Sequence, residues 1–124
     1  MNQNKKTIKV WLDDIRKAPK EWIWIKTAQE AIDMLEQENV DVISLDYDLG
    51  KNMENGNYVF NWIKQETFMN PLYIPPEIII HSKNNAGIEK MTFGANIINQ
   101  ERIKKLENPP DLEAYLKNLF LKQK

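Results

Sequence analysis

Short runs of alternating apolar and polar residues, each followed by a polar cluster, dominate the first two-thirds of the chain. The first run places Ile8, Val10 and Leu12 on one side of an extended segment, which is the period-two pattern of a β-strand. The run Ile78-Ile79-Ile80 is entirely apolar, and we expect it to be buried on both faces of a sheet. The pattern as a whole predicts four strands, at residues 8–12, 22–25, 40–45 and 78–80.

Helical spacing of apolar residues separates and follows these strands. Thr27 and Glu30 form a capping box that begins a helix ending near Asn39, and a second helix is predicted over residues 58–66. For residues 88–106 a helix that contains Gly94 is preferred to the alternative, a short fifth strand at residues 97–98. Residues 109–111 open a last helix, whose inward-facing side chains are predicted to be Leu112, Tyr115, Leu116, Leu119 and Phe120.

Strands that alternate with helices predict an α/β fold built on a parallel sheet. We expect residues 1–124 to form one domain, a doubly wound sheet of four to five strands in the order 2-1-3-4(-5). The gap between the first two strands is too short for a full crossover helix, so that helix is expected to be shortened or lost. Ligands of such sheets bind beyond the carboxyl ends of the strands.

Composition narrows the functional classes. The chain has no cysteine, which excludes a disulfide scaffold, a thiolate metal site and a cysteine nucleophile. Lys plus Arg number 17 against 18 Asp plus Glu, a balance that argues against general DNA binding but not against recognition of one phosphate group. Without a signal peptide or an apolar run of about 20 residues, we expect a cytoplasmic protein with no membrane partner. The oligomeric state is not indicated.

Polar side chains follow three of the four predicted strands. Because the carboxyl ends of parallel strands meet at one edge of a sheet, these side chains are expected to converge. Carboxylates packed together repel one another unless a cation or a shared proton relieves them, and oxygen donors suit Mg²⁺, Ca²⁺ or Mn²⁺ better than zinc. The three clusters are Asp13-Asp14, Asp46 with Asp48, and His81-Ser82-Lys83-Asn84.

Each cluster taken alone has a simpler interpretation. An Asp-Asp pair after a strand is typical of a turn or a helix cap, and a single histidine is more often structural than catalytic. Three clusters at three strand ends favour a shared site. Since successive residues of a regular strand point to opposite faces, at most one of His81 and Ser82 is expected to face Asp46.

Three motifs carry a resemblance to a known family. Residues 10–16 (VWLDDIR), 44–50 (SLDYDLG) and 81–87 (HSKNNAG), with Met91 and the Trp-x-Trp strand, resemble the cyclic-phosphate processing receiver domain family over about residues 8–98. The family is a divergent relative of response-regulator receivers. The resemblance therefore implies a flavodoxin-like, receiver-like fold and a role in processing or binding cyclic phosphates, such as RNA ends or cyclic nucleotides.

The resemblance also implies residue roles. Asp13 and Asp14 match the acidic metal-binding pair of receivers, Asp46 matches the phosphoacceptor, and Ser82 matches the hydroxyl residue beside the phosphoryl group. Tyr47 stands where the family more often has a histidine. The lysine that ordinary receivers carry after a fifth strand has no counterpart, since Lys104 and Lys105 lie in a helical pattern.

The resulting hypothesis is metal-assisted hydrolysis of a cyclic phosphate, either a 2′,3′-cyclic phosphate RNA end or a cyclic nucleotide, with Mg²⁺ or Mn²⁺ as cofactor. One alternative is a binder that sequesters such a ligand without cleaving it, and another is a degenerate receiver that binds a protein partner. Trp62 is a candidate for stacking a base if it is exposed. The candidate residues are His81, Asp46 and Ser82 for catalysis, Arg16, Tyr47, Lys83 and Asn84 for substrate, and Asp13, Asp14, Asp46 and Asp48 for the metal.

Overall fold

The computed structural model of the protein describes residues 6–37, 39–46, 53–81 and 88–122. In these residues strands and helices alternate except at the two ends of the fold, where the first two strands are consecutive and the last two helices are consecutive. The elements are β1 (Lys9–Leu12), β2 (Ile23–Ile25), α1 (Ala28–Glu36), β3 (Val42–Asp46), α2 (Met53–Met69), β4 (Glu77–His81), α3 (Ile88–Glu107) and α4 (Leu112–Lys122).

The four strands form one parallel sheet in the order β2-β1-β3-β4, which confirms the predicted topology. Residues 13–22, between β1 and β2, contain turns and no helix, so the first crossover helix is lost as expected. In the sheet register Trp11 pairs with both Trp24 and Ser44, and Asp46 pairs with His81. The carboxyl ends of β1, β3 and β4 therefore lie at one edge.

The apolar core lies on one face of the sheet. This face carries every second residue of the strands, and α1, α2 and α3 pack against it with the apolar sides of their own surfaces. Burial of each large aliphatic side chain contributes about 1.5–3 kcal/mol to folding, so this layer supplies most of the fold's stability. Its members include Val10, Leu12, Ile25, Ala31, Ile32, Leu35, Ile43, Leu45, Val59, Phe60, Ile63, Ile78, Met91, Ala95 and Ile98.

The opposite face of the sheet carries the alternate residues, among them Trp11, Ser44 and Ile79, at paired positions in the register. None of the three core helices packs on this side. Ile79 is consequently 40% exposed, and the expectation that the fourth strand is buried on both faces is wrong. The all-apolar run of β4 could not reveal that the loss of the first crossover helix leaves this side of the sheet open.

Both ends of α2 differ from the prediction, because the helix begins at Met53 and continues to Met69. Its C-terminal end is held by Lys105 of α3, whose Nζ donates to the carbonyl oxygens of Thr67 (2.8 Å) and Tyr73 (2.6 Å). A cation at this position satisfies carbonyl groups that have no partner within a helix. Lys105 is therefore a structural residue and not a counterpart of the receiver lysine.

The preference for a helix over a fifth strand is confirmed, because residues 97–98 lie within α3. Ile98 is buried in the core, whereas its neighbour Ile97 is exposed, as the helical period requires. Gly94 lets α3 approach α2 closely, since a Cβ at this position would come within 2.9 Å of the Phe60 ring. The glycine is costly to the helix itself but permits this contact.

The last helix begins as predicted, with Asp111 Oδ1 accepting hydrogen bonds from the backbone N–H groups of Glu113 and Ala114. Its burial was predicted wrongly: Phe120 is 75% exposed, and the leucines of the stripe are exposed as well. An apolar stripe indicates which side of a helix seeks a partner, but here the core face of the sheet is already covered by α1–α3. Within the described residues, no helix combines the length and hydropathy that crossing a bilayer requires.

We predict that Gly94→Ala destabilises the protein although alanine is the better helix former. Overpacking against Phe60 is expected to cost about 1–3 kcal/mol, which exceeds the gain of up to about 1 kcal/mol in helix propensity. Chemical denaturation of Gly94→Ala, Phe60→Leu and the double variant measures this. Shortening residue 60 should relieve the overlap, so the double variant should lose less free energy of unfolding than the two single variants lose together. A larger loss than that sum would contradict the proposed overlap.

Candidate functional site

Three side chains from three strand ends meet at the carboxyl edge of the sheet. Asp13 follows β1, Asp46 ends β3 and His81 ends β4, and one potential ligand atom from each lies within 4.8 Å of the others. Asp13 is only 2% exposed and Asp46 only 4%. The convergence expected from the strand ends is therefore present, and all three side chains lie on the open face of the sheet, opposite α1–α3.

Arg16 links the two buried carboxylates. Its Nε lies 3.0 Å from Asp13 Oδ2, and its Nη2 lies 3.1 Å from Asp46 Oδ1. A buried carboxylate requires a positive partner and hydrogen-bond donors, and the guanidinium supplies both to two carboxylates at once. The Arg16 side chain is still 29% exposed, so it is the part of this cluster that solvent and an incoming anion can reach.

A tight turn after β1 positions Arg16. Asp13 Oδ1 accepts hydrogen bonds from the backbone N–H groups of Ile15 (2.9 Å) and Arg16 (2.8 Å). The backbone of Asp13 is held by β2, because its N–H donates to the Ile25 carbonyl and its own carbonyl accepts from Trp24 Nε1 at 2.6 Å. The turn expected after the first strand is therefore present, and the same Asp13 carboxylate also belongs to the group of three at the strand ends.

These contacts set the charge of Asp13. Burial of the carboxyl group raises its pKa. The backbone hydrogen bonds from Arg16 and Ile15, the hydrogen bond with His81 and the charge of Arg16 together lower the pKa by more than burial raises it. The net effect holds the pKa of Asp13 below its usual range. The group is therefore a carboxylate at neutral pH and can only accept hydrogen bonds.

His81 has a partner on each ring nitrogen. Nε2 lies 3.1 Å from Asp13 Oδ2, and Nδ1 lies 2.7 Å from the hydroxyl oxygen of Ser44. Because the carboxylate only accepts, the ring proton lies on Nε2, and the Ser44 hydroxyl donates to Nδ1. Burial lowers the pKa of His81 more than the neighbouring Asp13 carboxylate raises it, so the ring is neutral near pH 7.

Two site residues, Ser44 and Trp11, were missed by the sequence interpretation. Ser44 is buried under His81, and the Trp11 ring stacks on the imidazole with 3.7 Å between centroids and 6° between planes. Trp11 Nε1 also donates to the Arg16 carbonyl at 3.1 Å. The alternation of side chains along a strand could have indicated both residues. Ser44 and Trp11 each precede a predicted aspartate of the site by two residues and so lie on the same face of the sheet.

Asp14 does not join the group of three, although it lies beside it in the chain. It is partly buried, and its Oδ1 is inaccessible to solvent and has no hydrogen-bond partner among the described residues. Trp62 does not face the site, because it packs against the core on the helix side and meets Tyr73 edge-on. Five predicted site residues lie outside the described ones: Tyr47, Asp48, Ser82, Lys83 and Asn84.

The first turns of α2 pack directly against the end of β3. A Cβ at Gly56 would overlap the carbonyl oxygen of Asp46, so only glycine allows the helix backbone to approach at this point. The close approach fixes the backbone of Asp46 from the side opposite to its carboxylate. Core packing thereby contributes to the geometry of the site.

Comparison with known protein families gives a match over most of the chain. The sequence model of the cyclic-phosphate processing receiver domain matches residues 8–96, which include β1 to β4 and the aspartates, arginine and histidine described above. No curated protein and no solved structure matches the chain.

We predict that His81 titrates below its ordinary pKa of about 6.5 in the metal-free protein. The unfolded chain then takes up a proton near pH 6.5 that the folded protein does not yet accept, so stability is lost as pH falls from about 6.5 towards the folded pKa. The chain has one histidine, so its ring signals can be followed by proton NMR without ambiguity.

The thermal unfolding midpoint, followed over the same pH range, tests the linkage. His81→Gln should remove the fall in stability that begins as the pH drops below about 6.5. A His81 pKa above its ordinary value, or an unchanged pH dependence in the variant, would show that the neutral ring described above is wrong.

Proposed function

The chain belongs to the cyclic-phosphate processing receiver domain family, and on that basis we propose that its sheet edge binds and hydrolyses a cyclic phosphodiester. The single observation that carries the proposal is the position of Arg16, a partly exposed guanidinium held beside a neutral imidazole at the edge of a parallel sheet. The substrate class is a 2′,3′-cyclic phosphate or a cyclic nucleotide.

Arg16 is the group that receives the phosphate in this proposal. A guanidinium offers planar, paired donors that match two phosphate oxygens. Two of its nitrogens already hold Asp13 and Asp46, which fixes the orientation of the side chain before a ligand arrives. This pre-organisation lowers the entropy that binding would otherwise cost.

His81 is proposed to transfer the proton. A water oxygen forms a new bond to phosphorus, the bond from phosphorus to one ring oxygen breaks, and the proton lost by the water reaches the leaving oxygen through the imidazole. A neutral ring with a depressed pKa can accept the proton that the water loses, and the Asp13 carboxylate stabilises the imidazolium that forms. Because the ring proton lies on Nε2 beside Asp13, the nitrogen that accepts the proton of the water is Nδ1, which must exchange its hydrogen bond from Ser44 for the water while the Asp13 contact is kept.

The residues present fit a divalent cation. Asp13, Asp46 and His81 offer ligand atoms within 4.8 Å of one another. The buried Asp14 Oδ1 has no hydrogen-bond partner among the described residues. We propose that Asp13, Asp14 and Asp46 hold Mg²⁺ or Mn²⁺, the ions that an oxygen-rich donor set prefers. Such an ion supplies charge neutralisation at the phosphate oxygens.

The second candidate function is sequestration of the same ligand without cleavage. One observation favours it: both nitrogens of His81 are already engaged, by Ser44 and by Asp13. A ring that keeps both partners cannot move a proton to or from a ligand. The two functions therefore differ in whether His81 affects turnover or only affinity.

We predict that His81→Ala lowers turnover by about 10²–10⁴-fold and changes ligand affinity by only a few fold, because proton transfer acts in the transition state. Asp46→Asn should abolish turnover and weaken metal-dependent binding. Asp33→Asn, a matched charge change on the exposed side of α1, should alter neither. Mass spectrometry of a panel of cyclic mononucleotides, cyclic oligonucleotides and 2′,3′-cyclic RNA ends, incubated with Mg²⁺ or Mn²⁺, measures turnover. Tight binding without turnover, lost in His81→Ala, would establish sequestration instead.

We also predict weak Mn²⁺ binding that tightens when a phosphate-bearing ligand is present. The double variant Asp13→Asn, Asp14→Asn should lose it, because two of the three proposed carboxylate ligands become neutral amides. Isothermal titration calorimetry with Mn²⁺, in the absence and in the presence of inorganic phosphate, measures the affinity and its tightening, and Asp33→Asn again serves as the control. Equal Mn²⁺ affinity in the wild type and the double variant would exclude this metal site.

A further inference from the structure

Three of the four tryptophans of the chain lie together on the open face of the sheet. Trp11 and Trp24 are directly paired in the register of β1 and β2, and Trp22 meets Trp11 edge-on with 5.9 Å between ring centroids. All three are half-buried. We call these three residues the tryptophan face.

The tryptophan face begins at the site and extends away from it. Trp24 donates to the carbonyl of Asp13, and Trp11 stacks on His81, so two of the rings border the cluster. Trp22 precedes Trp24 by two residues, which places it about 7 Å farther along the strand direction. The aromatic surface is therefore longer than one ring and points away from the proposed phosphate position.

Positive charge accompanies these rings. Lys9 Nζ lies 5.5 Å from the centroid of the Trp22 ring, and Lys26 Nζ lies 4.6 Å from that of Trp24. Residues 1–26 contain seven Lys or Arg against three Asp or Glu, whereas the remaining residues contain ten against fifteen. The nearly neutral chain thus concentrates its positive charge in the segment that forms β1 and β2, where it would attract a polyanion.

We propose that the tryptophan face binds unpaired bases of a single-stranded RNA whose 3′ end enters the site. Aromatic rings stack on any base, and lysines beside them neutralise the phosphates, a combination typical of surfaces that bind single strands. The choice of RNA rests on the proposed function, because a 2′,3′-cyclic phosphate forms only on a ribose. The face thereby selects an oligonucleotide over a mononucleotide.

Charge also argues against a second copy of this chain as the occupant. In a twofold interface the same patch meets itself, which would bring Lys9 and Lys26 of the two copies together. Like charges at a desolvated interface oppose association. RNA brings the opposite charge and covers the rings at the same time.

The test compares RNA of about eight nucleotides, a length within the usual range for single-strand sites, with uridine 2′,3′-cyclic phosphate. The oligouridine is prepared with a plain 3′-hydroxyl and with a 2′,3′-cyclic phosphate, and competition against a fluorescein-labelled copy is read by anisotropy. Trp22→Leu keeps an apolar side chain but removes the ring, and Trp62→Leu makes the same change on the helix side of the sheet.

We expect both oligonucleotides to bind more tightly than the mononucleotide. Trp22→Leu should weaken their binding by about 5- to 150-fold, the usual loss for one stacked base. Trp62→Leu should leave their affinity unchanged. Lys9→Gln should lower the slope of log affinity against log salt by about 0.7, the contribution of one phosphate contact on a single strand. Circular dichroism melting of each variant verifies that it is folded.

The inference is overturned if the octamer binds no more tightly than the mononucleotide, or if folded Trp22→Leu binds RNA as the wild type does. It is also overturned if sedimentation shows a dimer that Trp22→Leu dissociates while RNA fails to bind. Failure of the proposed function looks different: the 3′-hydroxyl octamer would then still bind through the tryptophans, and no cyclic phosphate would be bound or cleaved at the site.

Discussion

The Asp13 carboxylate is the group on which the site depends. It accepts hydrogen bonds from the backbone of Ile15 and Arg16, pairs with the Arg16 guanidinium, and holds Nε2 of His81. These contacts join the end of β1 to the end of β4, and through Arg16 to Asp46 at the end of β3. Burying one carboxylate is tolerable only because every contact donates to it. A single ionised group therefore fixes the turn, the guanidinium and the histidine tautomer together.

The one-sided sheet explains why Arg16, alone among the described charged side chains of this cluster, is partly exposed to solvent. A parallel sheet is ordinarily covered by helices on both faces, which would bury groups pointing to either side. Here α1–α3 cover one face, and the short connection between β1 and β2 leaves the other to half-buried tryptophans and to the site. Trp11 stacks on His81, and burial of the imidazole lowers its pKa, so the packing of the open face affects the chemistry at its edge.

The sequence was sufficient for the sheet and for the meeting of Asp13, Asp46 and His81, because strand order and period two fix which side chains share an edge. It was insufficient for links that depend on the reach of a side chain, such as Arg16 between two carboxylates or Ser44 beneath the imidazole. The apolar stripe of α4 and the isoleucines of β4 were misjudged for a related reason. Hydrophobicity shows that a surface favours burial, but the partner is decided by elements far away in sequence.

Charge balance at the edge constrains any ligand. Among the described residues, the carboxylates of Asp13 and Asp46 both contact the Arg16 guanidinium, and the imidazole beside them is neutral at pH 7. A phosphodiester that enters adds a further negative charge to a partly buried site, which is unfavourable unless positive charge enters with it. That charge can arrive as a divalent ion on the carboxylates or as a proton on His81. In the proposed function, phosphate recognition at this edge is therefore coupled to the uptake of a cation, whether or not the ligand is cleaved.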